Sequence, residues 1–232
     1  MKTERISKSY GDKCLIRDFS YQFQQGERIG IIGPNGVGKS TFIRLLLGAV
    51  EPDSGHIITG KTVVFGHYLQ EQQEFNPDKK VIDIVKDVAP YIRQADGSKV
   101  SATKLLEQFM FTPKQQHSFA KHLSGGEKRR LTLLLVLLQN PNFLILDEPT
   151  NDLDIDSVQV LEQFLLAYTG CLIVISHDRF FMDKIVDHLF VFEGEGKIAD
   201  YWGSYSTYKM DKEKIDTVDK IEEMEEESNS SI

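Results

Sequence analysis

The amino-acid sequence predicts an α/β fold: a parallel sheet covered on both faces by helices, an antiparallel β subdomain at its opening, and a helical subdomain inserted between strands. Three observations carry that prediction. Ile29–Ile32, Phe143–Leu146 and Leu172–Ile175 are apolar throughout, and helix-compatible segments separate them; continuous apolar strands alternating with helices indicate a parallel sheet buried on both sides. Phe19, Tyr21 and Phe23 instead alternate with polar Ser20 and Gln22, the period-two pattern of a strand with one buried face, ended by Gly26. From about Lys79 to Leu123 the spacing turns helical, with Val81, Ile84, Val85 and Val88 in one stretch and Leu105, Leu106 and Phe109 in another, broken by Pro90, Gly97 and Pro113.

In chain order, the apolar strand Ile29–Ile32 runs into the glycine-rich segment 33–38 and then into a helix over Thr41–Leu47 that stops at Gly48. Pro52–Gly55 and Gly60 punctuate further short strands, of which Thr62–Phe65 is the clearest because it is β-branched and aromatic. The helical lobe spans about 79–140 and includes the apolar run Leu131–Leu138 as a buried helix. Another helix passes through Val158–Ala167, and Leu189–Phe192 with Lys197–Tyr201, joined through Gly194 and Gly196, form a closing hairpin. No internal repeat is visible, so the chain holds one catalytic unit.

Composition sets the bounds. With 232 residues, 41% hydrophobic and 27% charged, the chain suits one large globular domain or a core with a smaller lobe. The run Leu131–Leu138 is interrupted by Thr132 and falls far short of the ~20 apolar residues a membrane span requires. Met1–Arg5 has no apolar segment behind it, which argues against a secretory signal. Cys14 and Cys171 are far apart and form no pair motif, fitting a reducing, cytoplasmic setting, with Cys171 as packing. Charge is concentrated at one end: nine acidic residues against four lysines over 209–232 carry −5 of the net −8. Residues 1–208 are therefore expected to form the folded domain, and 209–232 a solvated helical or disordered acidic tail. Neither part is basic enough to indicate nucleic-acid binding by composition.

The chemistry is concentrated in three short segments. Gly33, Pro34, Asn35, Gly36, Val37, Gly38, Lys39 and Ser40 form the phosphate-loop pattern in the required strand-to-helix context, with Thr41 opening the helix. Glycines let successive N–H groups turn inward around phosphates, and the helix points its partial positive end at the same charge. Lys39 would reach the β and γ phosphates of ATP, and the Ser40 hydroxyl would bind Mg2+. Asp147 and Glu148 end the strand Phe143–Leu146 at the carboxyl edge of the sheet, where open α/β sheets bind ligands. Asp147 suits a magnesium-bound water, and Glu148 suits a general base polarising the attacking water. Finally, Ser124, Gly125, Gly126 and Glu127 combine an N-cap, its capping-box partner and a bare backbone at a helix start, a second anion site.

Leu123–Glu127, read with the phosphate loop and the acidic pair, resembles the signature of the ABC ATPases, and the other motifs fall in that family's order. The resemblance implies a P-loop NTPase core and a head-to-tail dimer in which the Ser124 segment covers the γ phosphate held by the other copy, with two ATP molecules at the interface. It further implies that Gln70 reaches magnesium and the attacking water, that His177 contacts the γ phosphate, that Asp154 within Asn151, Asp152, Leu153, Asp154 is a polar contact across the interface, and that Tyr10 stacks on adenine.

Within the family, Glu148–Asp154 (EPTNDLD), Ser176–Phe181 (SHDRFF) and Gly203, Ser204, Tyr205 and Tyr208 are similar to the second domain of ABC-F proteins, over about Ile6–Tyr208. That branch implies a second ABC domain as partner, in the same polypeptide or in a homodimer, and ribosomes or RNA as the target. The competing branch is the ATP-binding subunit of a membrane transporter, with a membrane subunit as partner. ATPases that clamp DNA need long coiled coils or added clamp domains, which do not fit in 232 residues.

Overall fold

A tight turn at Gly11, held in a left-handed conformation at φ 57, joins strands β1 (Lys2–Tyr10) and β2 (Lys13–Gln22) into an antiparallel pair. The computed structural model describes residues 1–69, 75–89, 91–93, 99–151 and 153–214. Strand β3 (Arg28–Ile32) leads into helix α1 (Lys39–Leu46), and β4 (Ser54–Ile58) returns to β1, completing a three-stranded sheet in the order β2-β1-β4.

Strand β5 (Phe65–Tyr68) precedes the helical lobe, which holds α2 (Val81–Val88), the short hairpin β6 (Tyr91–Arg93) and β7 (Lys99–Ser101), α3 (Ala102–Gln108), α4 (Pro113–Gln116), a 3-10 turn at Ala120–His122 and the long α5 (Gly125–Leu138). The core then resumes through β8 (Phe143–Asp147), α6 (Ile155–Ala167), β9 (Cys171–Ile175), α7 (Arg179–Ile185), β10 (His188–Gly194) and β11 (Lys197–Trp202). Helical backbone over 205–214 follows.

The main sheet has the order β11-β10-β3-β9-β8-β5, with every pair parallel except β10 and β11. Because successive side chains of a strand point to opposite faces, β8 and β9 divide their residues between two cores. Phe143, Ile145, Ile173 and Ile175 face α1 and the antiparallel sheet, whereas Leu144, Leu146, Leu172 and Val174 face α5, α6, α7 and the helical lobe. Phe190 of β10 sits at the centre of the first core, its ring 4.8 Å from Tyr21, 5.4 Å from Phe19 and 6.2 Å from Phe42. Cys171 is buried there, as its apolar setting implies, and burial pushes its thiol up to about 12. Among the described residues no helix is long and apolar enough to cross a membrane.

Two expectations need correction. The strand expected at Thr62–Phe65 begins instead at Phe65, because the Asn142 side chain occupies the backbone just ahead of it. Its Oδ1 accepts from the Val64 amide at 2.8 Å, its Nδ2 donates to the Thr62 carbonyl at 2.8 Å, and its own amide donates to the Val64 carbonyl at 3.0 Å. Pairing with β8 starts only beyond that clamp, where Gly66 lies so close to Pro141 that a Cβ would sit 2.6 Å from its ring. The lobe is also not wholly helical, since β6 and β7 interrupt it with strands of three residues that carry no readable period.

Truncating Phe190 to Ala removes a fully buried ring that five aromatic neighbours enclose. The expected loss is about 3–5 kcal/mol of unfolding free energy, measured by chemical denaturation; a loss below about 1 kcal/mol would contradict the packing described.

Candidate active site

The parallel register lines up three strand ends. Ile31 of β3 and Asp147 of β8 both pair with Ile175 of β9, so Gly33, Glu148 and His177 leave the sheet at the same edge. The loop after β3 is fixed by contacts that exclude side chains. Gly33 has φ 146 and a Cβ there would lie 2.6 Å from the Phe192 carbonyl; Gly38 has φ 116 and a Cβ would lie 2.9 Å from the Leu15 carbonyl. Glycine meets both demands, the backbone conformation and the close approach. Gly38 is also the N-cap of α1, its carbonyl accepting from the Phe42 amide at 2.8 Å, so the unpaired amides of the first helical turn open toward the loop. Lys39 folds back across it, Nζ donating to the carbonyls of Gly33 at 2.6 Å and Pro34 at 2.9 Å. Burial holds the Lys39 ammonium below its ordinary pKa, against the opposing pull of Glu148 and Asp147.

A cavity of about 430 Å³ lies over this loop, with Ser40 and Thr41 on one side and Asp147, Glu148 and His177 on the other. Burial, reinforced by the neighbouring Glu148 charge, raises the Asp147 carboxyl above the ordinary aspartate value, with Lys39 opposing. Glu148 is buried in spite of its charge and adopts φ 50, a left-handed conformation uncommon for a residue with a Cβ. Its amide donates to the Ile175 carbonyl at 2.8 Å; its Oε2 accepts from the His177 amide at 3.4 Å, and its Oε1 is 3.5 Å from His177 Nε2. Among the described residues no cluster of three or more His, Cys, Asp or Glu could hold a metal. A cation here would therefore be held by one or two protein oxygens, with phosphates and water completing its shell, which is how Mg2+ is usually bound beside nucleotides.

A second group of expected residues lies on a different surface. Ser124 caps α5: its Oγ accepts from the Glu127 amide at 3.3 Å while the Glu127 carboxylate accepts from the Ser124 amide at 2.7 Å, a complete capping box. Burial pushes the Glu127 carboxyl up, but hydrogen bonds from the Ser124 amide, the Gln115 side chain and the Ser124 hydroxyl outweigh it and hold the group low. A Cβ on Gly125 would meet nothing within 4 Å among the described residues, so the backbone at the helix start is open to an approaching group. Asp154 caps α6, accepting from the Ser157 amide at 2.8 Å, and accepts from Arg130 Nη1 at 3.3 Å.

The structure thus brings the loop residues, Asp147, Glu148 and His177 together, and sets Ser124–Glu127 and Asp154 apart from that cavity. Tyr10 is 51% exposed at the β1–β2 tip and does not line the cavity. Its strand partner Lys13 does come close, with Nζ 3.6 Å from where a Cβ of Gly36 would be. Gln70 and Asp152 lie outside the described residues. Sequence reasoning passed over Leu15 and Lys13, which reach the loop only through the hairpin register, and Arg130, for which the Glu127–Arg130 spacing was the available signal.

Comparison with known proteins gives the family. Residues 16–151, more than half of the chain, match the family model described as "ABC transporter". The chain is 47% identical over 208 residues to the uncharacterized ABC transporter ATP-binding protein YfmR of Bacillus subtilis, covering 90% of this chain and 33% of that protein. It is 38% identical over 222 residues to the energy-dependent translational throttle protein EttA of Escherichia coli, covering 96% of this chain and 40% of that one. It therefore spans well under half the length of these relatives. Among solved structures, the complex of archaeal ribosomal stalk protein aP1 with archaeal ribosome recycling factor aABCE1 is similar with a TM-score of 0.69 and 27% identity, over 85% of this chain and 38% of that one. By its sequence, its fold and the arrangement of its phosphate loop, this chain belongs to the ABC transporter family as an ATP-binding domain, and its relatives include YfmR and EttA.

Proposed function

We propose that residues 1–208 act as one nucleotide-binding domain that binds ATP with Mg2+, hydrolyses it, and closes head-to-tail on a second ABC domain around two ATP molecules. The observation that carries this reading is the convergence of the glycine loop, Lys39, Asp147, Glu148 and His177 on one cavity. Loop amides and Lys39 bind the phosphates, with Lys39 exchanging its carbonyl partners for phosphate oxygens. Ser40 and Asp147 hold Mg2+, with Gln70 added from the family resemblance; the ion, when bound, neutralises phosphate charge. Glu148 takes the proton of the attacking water, and His177 lies beside it to meet the γ phosphate.

Closure on a second domain follows from the position of the Ser124 site. Its open helix start lies outside the cavity of its own chain, so an anion there comes from a partner. Asp154 and the neighbouring loop would meet that partner, and Tyr10 would stack on adenine. YfmR and EttA suggest an ABC-F type parent carrying a second domain, and the name of EttA points to translation, so the working place is the cytoplasm and the target the ribosome. In the parent protein, the Glu148→Gln form at saturating ATP should sediment with ribosomes; recovery with membranes through a membrane subunit would favour the transporter reading instead.

Removing the ammonium in Lys39→Ala should weaken ATP binding by about 10–100-fold, the range expected for a lost charge-assisted hydrogen bond; calorimetry with wild-type affinity would refute the loop assignment. Glu148→Gln should keep ATP affinity and lose about 10²–10⁴ in kcat, and unchanged turnover would remove Glu148 as the base. Asp147 is a carboxylate whose pKa is raised by folding, so its ionisation disfavours the folded state and the penalty grows as pH rises through its folded value. Asp147→Asn should therefore melt above wild type at pH 7, the difference shrinking as pH falls through the folded value of Asp147, while hydrolysis is lost. A lower Tm at pH 7 would contradict the electrostatic account.

A further inference from the structure

Arg130 lies outside the cavity, and the chemistry proposed above does not use it, yet it touches both the start of α6 and the helical lobe. It projects from the second turn of α5, and its side chain is only 12% exposed. Nη1 donates to Asp154 Oδ2 at 3.3 Å and to Ser157 Oγ at 3.2 Å, the N-cap and the third residue of α6. The guanidinium lies 5.3 Å from the centre of the Phe111 ring in the helical lobe, and its charge helps hold the Glu127 carboxylate ionised, one turn earlier on α5. Its Nε is buried without a hydrogen-bond partner among the described residues.

A cation buried with an unsatisfied donor is a costly way to fill space, and an apolar side chain of similar volume would pack there with less penalty. What the guanidinium supplies that an apolar chain cannot is direction. Its Nη1, shared between Asp154 and Ser157, fixes α5 against the capped start of α6, six residues beyond Glu148. The arginine therefore joins the Ser124 box at one end of α5 to Asp154, at the far end of the segment that leaves β8 after Asp147.

We propose that Arg130 is a positioning residue that sets the Ser124 anion site in register with the 148–154 loop, so that closure over a partner's nucleotide and hydrolysis at the chain's own site are coupled. The inference rests on the ATPase reading above and adds a named residue to it. The aspartate N-cap is then a tether as well as a cap, and loss of the arginine leaves nucleotide binding at the glycine loop untouched.

The test compares wild type with Arg130→Met, Arg130→Lys, Asp154→Ala and the Arg130→Met/Asp154→Ala double variant in the intact chain, with Glu148→Gln as the hydrolysis control. Arg130→Met is expected to lower kcat by about 10–100-fold, the scale of a small misplacement of reacting groups, with KM for ATP within about twofold and no fall in melting temperature. Arg130→Lys should recover part of kcat. The double variant should be no worse than the poorer single variant, the non-additivity of two groups acting through one contact. Amide exchange adds a readout independent of turnover: the Ser157 amide should exchange about tenfold faster in Arg130→Met, with the loop amides of residues 33–41 unchanged. Unchanged kcat, additive losses, or a fall in kcat that only follows melting temperature would each overturn the proposal. If wild type turns over no faster than Glu148→Gln, the ATPase reading fails on its own, and unaltered exchange at Ser157 then overturns the tether.

Discussion

The in-register parallel pairing of β3, β9 and β8 is the constraint on which the rest of the molecule depends. Hydrogen bonds between parallel strands leave no freedom to slide one strand end past another, and burial of both faces makes a slip of one residue prohibitive, since it would exchange the two cores. The glycine loop, the paired carboxylates and the histidine are therefore brought to one edge by backbone pairing rather than by contacts among themselves. The side chains then need only modest mutual interactions, such as the 3.4–3.5 Å approaches between Glu148 and His177.

That economy has a cost in the site itself. Asp147 and Glu148 are neighbouring acids at the end of a buried strand, and Lys39 is partly withdrawn from water opposite them. Each of these groups would be better solvated elsewhere. The two cores supply the compensation: the aromatic cluster around Phe190 on one face, and the leucine-rich contact of α5 with β8 and the helical lobe on the other.

How much of this could be read from the sequence depended on whether the governing interaction is local. The strands at Ile29, Phe143 and Leu172 were legible because burial on both faces leaves an unbroken apolar run. The capping box at Ser124 and Glu127 was legible because both partners lie within one helical turn. The start of β5 was not, because Asn142, about eighty residues later, occupies the backbone at Thr62 and Val64. Nor was the closeness of Lys13 to Gly36, which needs the hairpin register, or the tie from Arg130 to Asp154, which crosses from one helix to the next. Tyr10, an aromatic that could have been core, is half exposed instead, since it stands at the tip of a hairpin with the Lys8 ammonium over its ring.

The left-handed backbone at Glu148 has a mechanical consequence. Covalently the residue continues β8, but its amide is pinned to the Ile175 carbonyl and its carboxylate accepts from the His177 amide, both on the far side of the β8–β9 boundary. Any shear of β9 would drag the acid along with the His177 backbone, as two teeth cut on one gear.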